Sequence, residues 1–367
     1  MDVVEIDFRD AALAARYDRL FAACPDAFVQ QSHSWCEAIC RLGPDRPLFL
    51  LCHDEGEDVA GLPLYLFEHD LGNVLTSVPQ PGPMGGVFCR EGLSVERMAE
   101  VYGNLLAAAA RIAQRHGCMT LSLITNPFAD DLPLYERFLQ PDFVLENFLQ
   151  AIDLEKVFSP AGEFLPVARR NNLSRNLRKS GEAGFTVGLC QLPERLRDWH
   201  AIHVQRHTEL GATPLSLELF EKLFTVLVPR GQAGLILVEK DGQIASGCLF
   251  VYHHRIMDVF MLSVNSAWEE HAPNFANVRF SLDWARSLGV RQYNWQSSTS
   301  RAGGVYRFKQ QWGSVEYPYY FVTKLFCPIE RLRQIGPEGV RQHYPWHYVM
   351  PWQAFAGDCS ARSFRKP

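Results

Sequence analysis

An internal duplication constrains the fold of this chain more than any other feature of its sequence. EGEDVAGLPLYLF (55–67) predicts a strand, a turn and a strand, and KDGQIASGCLFVYHH (240–254) repeats that order around an Asp-Gly turn. LLAAAARIAQRHGCMTLSLI (105–124) and RFSLDWARSLGVRQYNW (279–295) each predict a helix, a glycine stop and a strand. The same patterns predict helices at 10–23, 33–42, 94–116, 166–183, 192–210, 216–228 and 273–288, and strands at 3–8, 46–53, 118–124, 141–153, 184–190, 232–239, 256–264, 290–296 and 315–325.

The duplication predicts two tandem α/β domains, each a mixed, largely antiparallel sheet flanked by helices. With 367 residues, the chain exceeds the size at which a single core usually stops growing. The repeated pattern breaks near residues 152–168, so we place the domains at 1–155 and 165–327. Residues 328–367 form a tail rich in Pro, Trp and His, which we expect to pack back onto the body.

Composition excludes several classes of protein. The chain is 47% hydrophobic and carries a net charge of −5, so binding to DNA is not expected and any contact with RNA would need a local basic patch. The start, MDVVEIDFRD, lacks the pattern of a signal peptide, and no apolar run approaches the length of a membrane helix. The ten cysteines form no CxxC pair. We therefore expect a cytoplasmic protein without a transmembrane segment.

One lysine stands in an unusually aromatic segment, GVYRFKQQWGSVEYPYY (304–320). If this segment begins with a helix, Tyr306 and Lys309 lie on one face, with Phe308 and Trp312 close by. At lowered dielectric the lysine would act strongly on an anion, such as the oxyanion of acyl transfer or a phosphate. The alternative is a lysine that covers apolar surface with its stem and keeps its ammonium in water.

A second cluster of positive charge opens the second domain. Arg169 and Arg170 are followed by Arg175, Arg178 and Lys179, and the last three share one face of the predicted helix. Such a face can bind the phosphates of a nucleotide, a tRNA or a carrier, or it can simply be solvated. The glycine-rich turn with which ordinary acetyl-CoA enzymes hold pyrophosphate is missing before the helix predicted at 273–288.

Three stretches in order, RRNNLSRNLRKSGEAGFTV (169–187), GVRQYNWQSS (289–298) and YRFKQQWGS (306–314), are similar to motifs of a known family. The chain resembles the Fem-type aminoacyltransferases and their FemAB-like or BioF2-like relatives, which are tandem-domain acyltransferases of the GNAT superfamily. The resemblance covers most of residues 25–325. Where the family often has an acidic residue and a glycine, this chain has Asn294 and Gln296.

The resemblance implies transfer of an acyl or aminoacyl group to a small-molecule or peptide amine, in cell-envelope or natural-product biosynthesis. The donor would be an aminoacyl-tRNA or a thioester of CoA or of an acyl carrier protein, with no tightly bound cofactor. We expect the first domain to be non-catalytic, because it lacks counterparts of the basic helix and of the lysine segment. The alternative is a catalytically inactive binding module. The expected site comprises catalytic Lys309, donor-binding Arg175, Arg178, Lys179 and Arg307, and substrate-binding Tyr306, Asn294, Gln296 and Ser298.

No metal site is expected, although His200, His203 and His207 can share one face of a predicted helix. The spacing lacks the glutamate of an HExxH motif, and Arg206 would repel a cation.

Overall fold

The computed structural model describes residues 1–356 except 41, 44, 80, 83 and 166–170, together with the backbone of residues 363–365. The chain divides into two compact units. Unit 1 comprises Met1–Phe148 and Tyr317–Pro367, and unit 2 comprises Leu149–Glu316. These bounds differ from the sequence-based ones, because each crossing between the units falls inside a strand instead of in a linker.

Runs of strands are separated by single helices or pairs of helices along the described chain. The helices are α1 (Ala11–Ala22), α2 (His33–Ile39), α3 (Val95–Arg115), α4 (Leu132–Leu139), α5 (Leu154–Val157), α6 (Asn171–Glu182), α7 (Pro193–Glu209), α8 (Leu217–Leu227), α9 (Pro273–Ser287), α10 (Gly304–Gln310), α11 (Ile329–His343) and α12 (Trp352–Phe355). The strands are β1 (Asp2–Ile6), β2 (Arg46–Pro47), β3 (Phe49–Asp54), β4 (Glu57–Leu62), β5 (Tyr65–Phe67), β6 (Asn73–Thr76), β7 (Phe88–Cys89), β8 (Cys118–Ile124), β9 (Phe143–Asp153), β10 (Thr186–Cys190), β11 (Ala233–Lys240), β12 (Gln243–His253), β13 (Ile256–Val264), β14 (Gln292–Ser297), β15 (Val315–Leu325) and β16 (Ser363–Arg365).

Unit 1 contains two sheets. One has the strand order β1-β3-β4-β7, and the other runs β9-β15-β8-β6-β5-β2, with β16 beside β9. The long helix α3 is capped by Ser94, whose hydroxyl accepts a hydrogen bond from the backbone N–H of Arg97, and it buries Leu105 and Leu106 in the core. β15 pairs with β8 from Phe321↔Ile124 onward, and this pairing draws the last strand of the second half of the sequence into unit 1.

The segment after β15 packs on unit 1. Leu332 and Val340 of α11, followed by Tyr344, are buried in one cluster with Val74 and Met119. The burial of these apolar side chains holds the segment in place.

Unit 2 contains a sheet in the order β10-β11-β12-β13-β14-β9. All neighbouring strands are antiparallel except β13 and β14, which α9 connects. Their parallel pairing covers only Ile256↔Gln292 to Asp258↔Asn294, after which β13 continues beside β12 to Val264. The sheet therefore opens at the carboxyl end of β14. The mixed, largely antiparallel α/β architecture predicted from the sequence is confirmed.

Candidate functional site

Lys309 lies on α10 and is only 6% exposed. Its Nζ donates hydrogen bonds to two backbone carbonyls at the end of β14, that of Gln296 at 3.1 Å and that of Ser297 at 2.8 Å. Burial lowers the pKa of this amine from its usual value to about 7. The ammonium therefore does not reach into water, and the snorkelling alternative does not describe this lysine.

The protonation state of Lys309 decides what it can offer to a substrate. An ammonium has three N–H groups and a neutral amine has two. Two N–H groups are used by the carbonyls, so the charged form alone keeps a further donor among the described contacts. An anion nearby would favour that charged form and raise the pKa of Lys309. This arrangement suits an oxyanion or a phosphate oxygen.

Asn294 braces the strand end instead of lining an open pocket. It is fully buried, and its Nδ2 donates to Oδ1 of Asp258 at 2.6 Å. Its Oδ1 accepts a hydrogen bond from the backbone N–H of Gln296 at 2.8 Å. Because both ends of the amide are occupied, we replace the predicted substrate-binding role of Asn294 with a positioning role.

Gln296 has a backbone conformation that non-glycine residues seldom adopt, with φ at 59°. This left-handed residue turns the backbone so that its carbonyl meets Lys309. Its side-chain Nε2 is buried and has no hydrogen-bond partner among the described residues. A strained residue with an unsatisfied buried donor is typical of a functional site, so Gln296 stays a candidate for substrate binding.

Ser298 is held by a glutamine that the sequence did not single out. Its hydroxyl donates to Oε1 of Gln150 at 2.9 Å, and Nε2 of Gln150 donates to the carbonyl of Tyr306 at 3.2 Å. This network gives Ser298 no basic partner, so the contacts do not describe an activated nucleophile. Gln150 was missed because it stands in a strand, within FLQAID, where nothing distinguishes it from other polar residues.

Tyr306 and Arg307 also have intramolecular partners. The hydroxyl of Tyr306 donates to Oε1 of Glu316 at 2.8 Å, and this hydrogen bond raises the pKa of Tyr306. Hydrogen bonds from Arg301 lower the pKa of Glu316. Arg307 is exposed and donates to the carbonyl of Ala302. Since Arg307 and Lys309 are two residues apart on a helix, they point to nearly opposite faces.

The basic face of α6 is open to solvent. Arg175, Arg178 and Lys179 are all exposed, and Arg175 donates to Oδ1 of Asn172 at 2.9 Å. Arg178 meets Glu182 at 3.8 Å, an exposed pair that contributes little binding energy. These cations are available to a polyanion. The predicted cluster also included Arg169 and Arg170, which lie outside the described residues.

The start of α9 offers little to a pyrophosphate. Pro273, its first residue, has no N–H, and the preceding Ala272 has a left-handed backbone with φ at 55°. The turn before it carries Glu269 and Glu270, whose charge opposes an anion. The structure therefore agrees with the sequence, which lacks a pyrophosphate-binding turn before this helix.

The three histidines on α7 lie next to one another, and their contacts help to pack this helix against neighbouring segments. His203 is fully buried, and its Nε2 accepts a hydrogen bond from the backbone N–H of Leu215 at 3.0 Å. Burial lowers the pKa of His203 to about 4, so its ring is neutral. Over the described ranges, no group of three or more His, Cys, Asp and Glu side chains is placed to hold a metal ion. In the same ranges, no helix combines the length and apolarity needed to traverse a bilayer.

Comparison with known proteins assigns the class. Residues 168–310 match the family model of the acetyltransferase (GNAT) domain, a range that includes Lys309. The crystal structure of FemX superposes with a TM-score of 0.68 at 13% identity, over 88% of this chain and 97% of that one. A tandem GNAT protein from the clavulanic acid biosynthesis pathway, solved without AcCoA, gives 0.52 at 14% identity, over 89% and 99%. L-PGS from Bacillus licheniformis gives 0.52 at 12% identity, over 82% and 89%.

No curated protein matches the chain by sequence. At these identities the structural likeness shows the fold, and the family match places a GNAT domain in unit 2. Residues 168–310 thus form an acetyltransferase (GNAT) domain, which supports an acyltransferase. The likeness to FemX and to a tandem GNAT protein confirms the expected tandem architecture at the level of the fold.

Proposed function

We propose that unit 2 transfers an acyl or aminoacyl group from an activated donor to an amine, without a covalent enzyme intermediate. The observation that carries the proposal is the buried Lys309, whose charged form keeps an N–H at the point where the sheet opens. A preorganised donor at low dielectric is what the oxyanion of acyl transfer requires.

The reaction begins when the neutral amine of the acceptor attacks the carbonyl carbon of the donor. A C–N bond forms, and the carbonyl oxygen becomes an oxyanion that accepts a hydrogen bond from Lys309. Collapse of this intermediate breaks the bond to the leaving oxygen or sulfur, which departs with the proton lost by the amine. Gln296, whose left-handed backbone directs its carbonyl to Lys309, holds this donor in place and stays a candidate for contacting the substrate. Ser298 helps to position the strand end through Gln150.

The first candidate donor is an aminoacyl-tRNA. The exposed, basic face of α6 favours it, because Arg175, Arg178 and Lys179 can neutralise several phosphates together. The start of α9, with Pro273 and two adjacent glutamates, disfavours a pyrophosphate bound there.

The second candidate donor is a thioester of CoA or of an acyl carrier protein. The match of residues 168–310 to an acetyltransferase domain favours it. The tandem GNAT neighbour from clavulanic acid biosynthesis also favours an acceptor amine of natural-product type. We keep peptide and cell-envelope amines as further acceptor classes, and a cytoplasmic location as the compartment in which either donor would be met.

The test incubates the full chain with a mixture of amines and either charged total tRNA, acetyl-CoA or an acyl carrier thioester, and detects products by mass spectrometry. A product that disappears after ribonuclease treatment supports the tRNA donor. Release of free thiol without RNA supports the thioester. Lys309→Met should abolish either product, whereas Lys240→Met, which removes another carbonyl-bound lysine of unit 2, should not.

Absence of any product with a folded protein and every donor would favour the binding-module alternative. A product that forms equally well with Lys309→Met would remove this lysine from the mechanism.

A further inference from the structure

The helix that carries Lys309 is too short to keep its place without tertiary contacts. α10 has seven residues, Gly304–Gln310, and begins after Gly303, which has no side chain with which to cap it. Helices of this length are unstable on their own in water. Lys309 supplies one contact to the sheet through the carbonyls of Gln296 and Ser297. The position of its Nζ therefore depends on what else connects α10 to the end of β14.

A second connection runs through Gln150, which lies on the neighbouring strand β9 and is 1% exposed. Its Nε2 donates to the carbonyl of Tyr306 at 3.2 Å and to Oγ of Ser314 at 3.4 Å. Its Oε1 accepts a hydrogen bond from the hydroxyl of Ser298 at 2.9 Å. One buried amide thus joins the residue after β14, the helix α10 and the turn that follows this helix.

Gln150 and Lys309 connect the same two elements at adjacent points. Tyr306 lies three residues before Lys309 and therefore on the same face of α10. Ser298 directly follows Ser297, whose carbonyl accepts a hydrogen bond from Lys309. Both serines that contact Gln150 are buried, Ser298 at 4% and Ser314 at 6% exposure. Water is largely kept from these contacts, so it would not replace the hydrogen bonds that a mutation removes.

Oxyanion stabilisation is sensitive to small displacements of the donor. A hydrogen-bond donor acts on the transition state only if it is held where the charge develops, and misplacement by about 1 Å can cost about a hundredfold in rate. The free N–H of Lys309 is carried by a long, flexible side chain on a short helix. A fixed α10 is therefore a condition for the proposed reaction.

We propose that Gln150 is a positioning residue, which holds α10 against the end of β14 so that Nζ of Lys309 keeps its place. It acts through the carbonyl of Tyr306 and the hydroxyl of Ser298. The expected effect on catalysis rests on the proposed function, whereas the expected effect on the surroundings of Lys309 does not.

The experiment compares Gln150→Met with the wild type, because methionine has nearly the same length and removes both the donor and the acceptor. The full chain is labelled with carbon-13 at the lysine side chains and titrated by NMR, and the Lys309 signal is identified by its absence in Lys309→Met. Burial lowers the pKa of Lys309 from 10.5 to about 7 in the wild type. A loosened α10 would admit water to the amine, so this pKa should rise by about one unit or more in Gln150→Met.

The second readout is kinetic. In Gln150→Met, kcat should fall by about tenfold, while KM for the donor should stay within about twofold, since the exposed donor-binding cations of α6 are untouched. If Gln150→Met fails to fold, Gln150→Asn is measured in the same way, because it keeps an amide but withdraws it by one methylene group. We expect the same two changes in that variant.

Gln31→Met is the matched control in unit 1. Gln31 is also 1% exposed, its Oε1 accepts from the backbone N–H of Phe28 at 2.8 Å, and its Nε2 donates to the carbonyl of Gly86 at 2.9 Å. Gln31→Met should lower stability by the loss of comparable hydrogen bonds, but it should change neither the pKa of Lys309 nor kcat.

An unchanged pKa of Lys309 or an unchanged kcat in folded Gln150→Met would overturn the inference, as would equal changes in Gln31→Met. The proposed function fails separately. If the wild type forms no product, or if Lys309→Met forms it equally well, the transfer mechanism is refuted, whereas a raised pKa of Lys309 in Gln150→Met still shows that Gln150 positions the amine.

Discussion

The two units bury groups of opposite sign at comparable places in their folds. Unit 2 buries the amine of Lys309 against the carbonyls that end β14, and unit 1 buries the carboxyl of Asp131 a few residues after β8. Both strands follow a long helix and pair in parallel with an earlier strand. The duplicated framework thus buries an amine in one copy and a carboxyl group in the other.

The sheets of the two units differ as well. In unit 2 the hairpin β11–β12 belongs to the same sheet as β13 and β14, whereas in unit 1 the hairpin β3–β4 lies in a separate sheet from β6 and β8. Both units therefore place a hairpin before a helix and a strand, while the number of strands between them and the hydrogen bonding of the hairpin differ. A repeated sequence pattern thus predicts the helices and strands of both units, but it does not predict how the strands pair.

The largest expected effect concerns catalysis in unit 2. Lys309→Met should lower kcat/KM for acyl transfer by about a hundredfold or more, because a preorganised oxyanion donor is lost. Steady-state kinetics at matched donor concentrations measures it. Lys240→Met serves as the control, and its Nζ donates to the carbonyl of Ala183 at 2.7 Å. Equal activity of the wild type and Lys309→Met would show that the buried amine has no catalytic role.

A smaller effect is expected from the basic face of α6. Changing Arg175, Arg178 and Lys179 together to Gln should raise KM for the donor by about tenfold with little change in kcat, since these exposed cations would bind donor phosphates. With a tRNA donor, the salt dependence of KM should become shallower. Arg197→Gln is an exposed control on α7. A fall in kcat at unchanged KM would contradict a binding role.

The two buried groups should give stability slopes of opposite sign. The raised pKa of Asp131 makes the native state hold a proton from its usual value of 3.8 to about 7, so its contribution to the free energy of unfolding falls as pH rises through that window. The lowered pKa of Lys309 makes the contribution rise from about 7 to its usual 10.5.

Each slope is at most about 1.4 kcal/mol per pH unit. Denaturant unfolding should be measured across this pH range. Asp131→Asn should remove the fall in the free energy of unfolding below about pH 7, and Lys309→Met should remove its rise above about pH 7. If either variant kept the wild-type slope in its own window, that group would not be buried as described.

The smallest expected effect concerns the hydrogen bond between Tyr102 and Asp131 in unit 1. Tyr102→Phe removes a hydrogen bond that lowers the pKa of Asp131, so that pKa should rise further. The upper end of the pH window in which Asp131 lowers the free energy of unfolding should then move upward by about half a unit, within the usual range for one hydrogen bond. Tyr344→Phe, which removes a hydroxyl bonded to Gly72, is the control. An upper end that moved downward, or not at all, would show that Tyr102 does not stabilise the ionised form of Asp131.

Much of the fold could be predicted from local patterns. The helices predicted at 94–116 and 273–288 are α3 and α9, and the strand predicted at 141–153 is β9 within two residues. The single strand predicted at 46–53 is instead two strands, because Leu48 lies between them and pairs with Leu64. Helix α4 was missed, since its eight residues follow a turn-rich segment and give little periodicity.

The site was predicted less completely than the fold. Lys309 was singled out by its aromatic neighbours, but its carbonyl partners were not, because backbone acceptors leave no trace in a sequence. Asn294 was identified as a polar residue on a strand, but only the structure shows that its side-chain amide donates a hydrogen bond to Asp258. Asp131 was missed entirely, since an aspartate before a helix is normally an exposed cap.

The sequence by itself determined the duplicated order of helices and strands, because periodicity and turn residues act over a few neighbouring positions. The GNAT class was implied by the resemblance of three short motifs to a known family. The tertiary structure alone decided where the units divide, which polar groups are buried and which of them lack partners. Those properties depend on atoms contributed by segments far apart in the chain, and burial, rather than residue type, sets the charge that Lys309 and Asp131 carry near neutral pH.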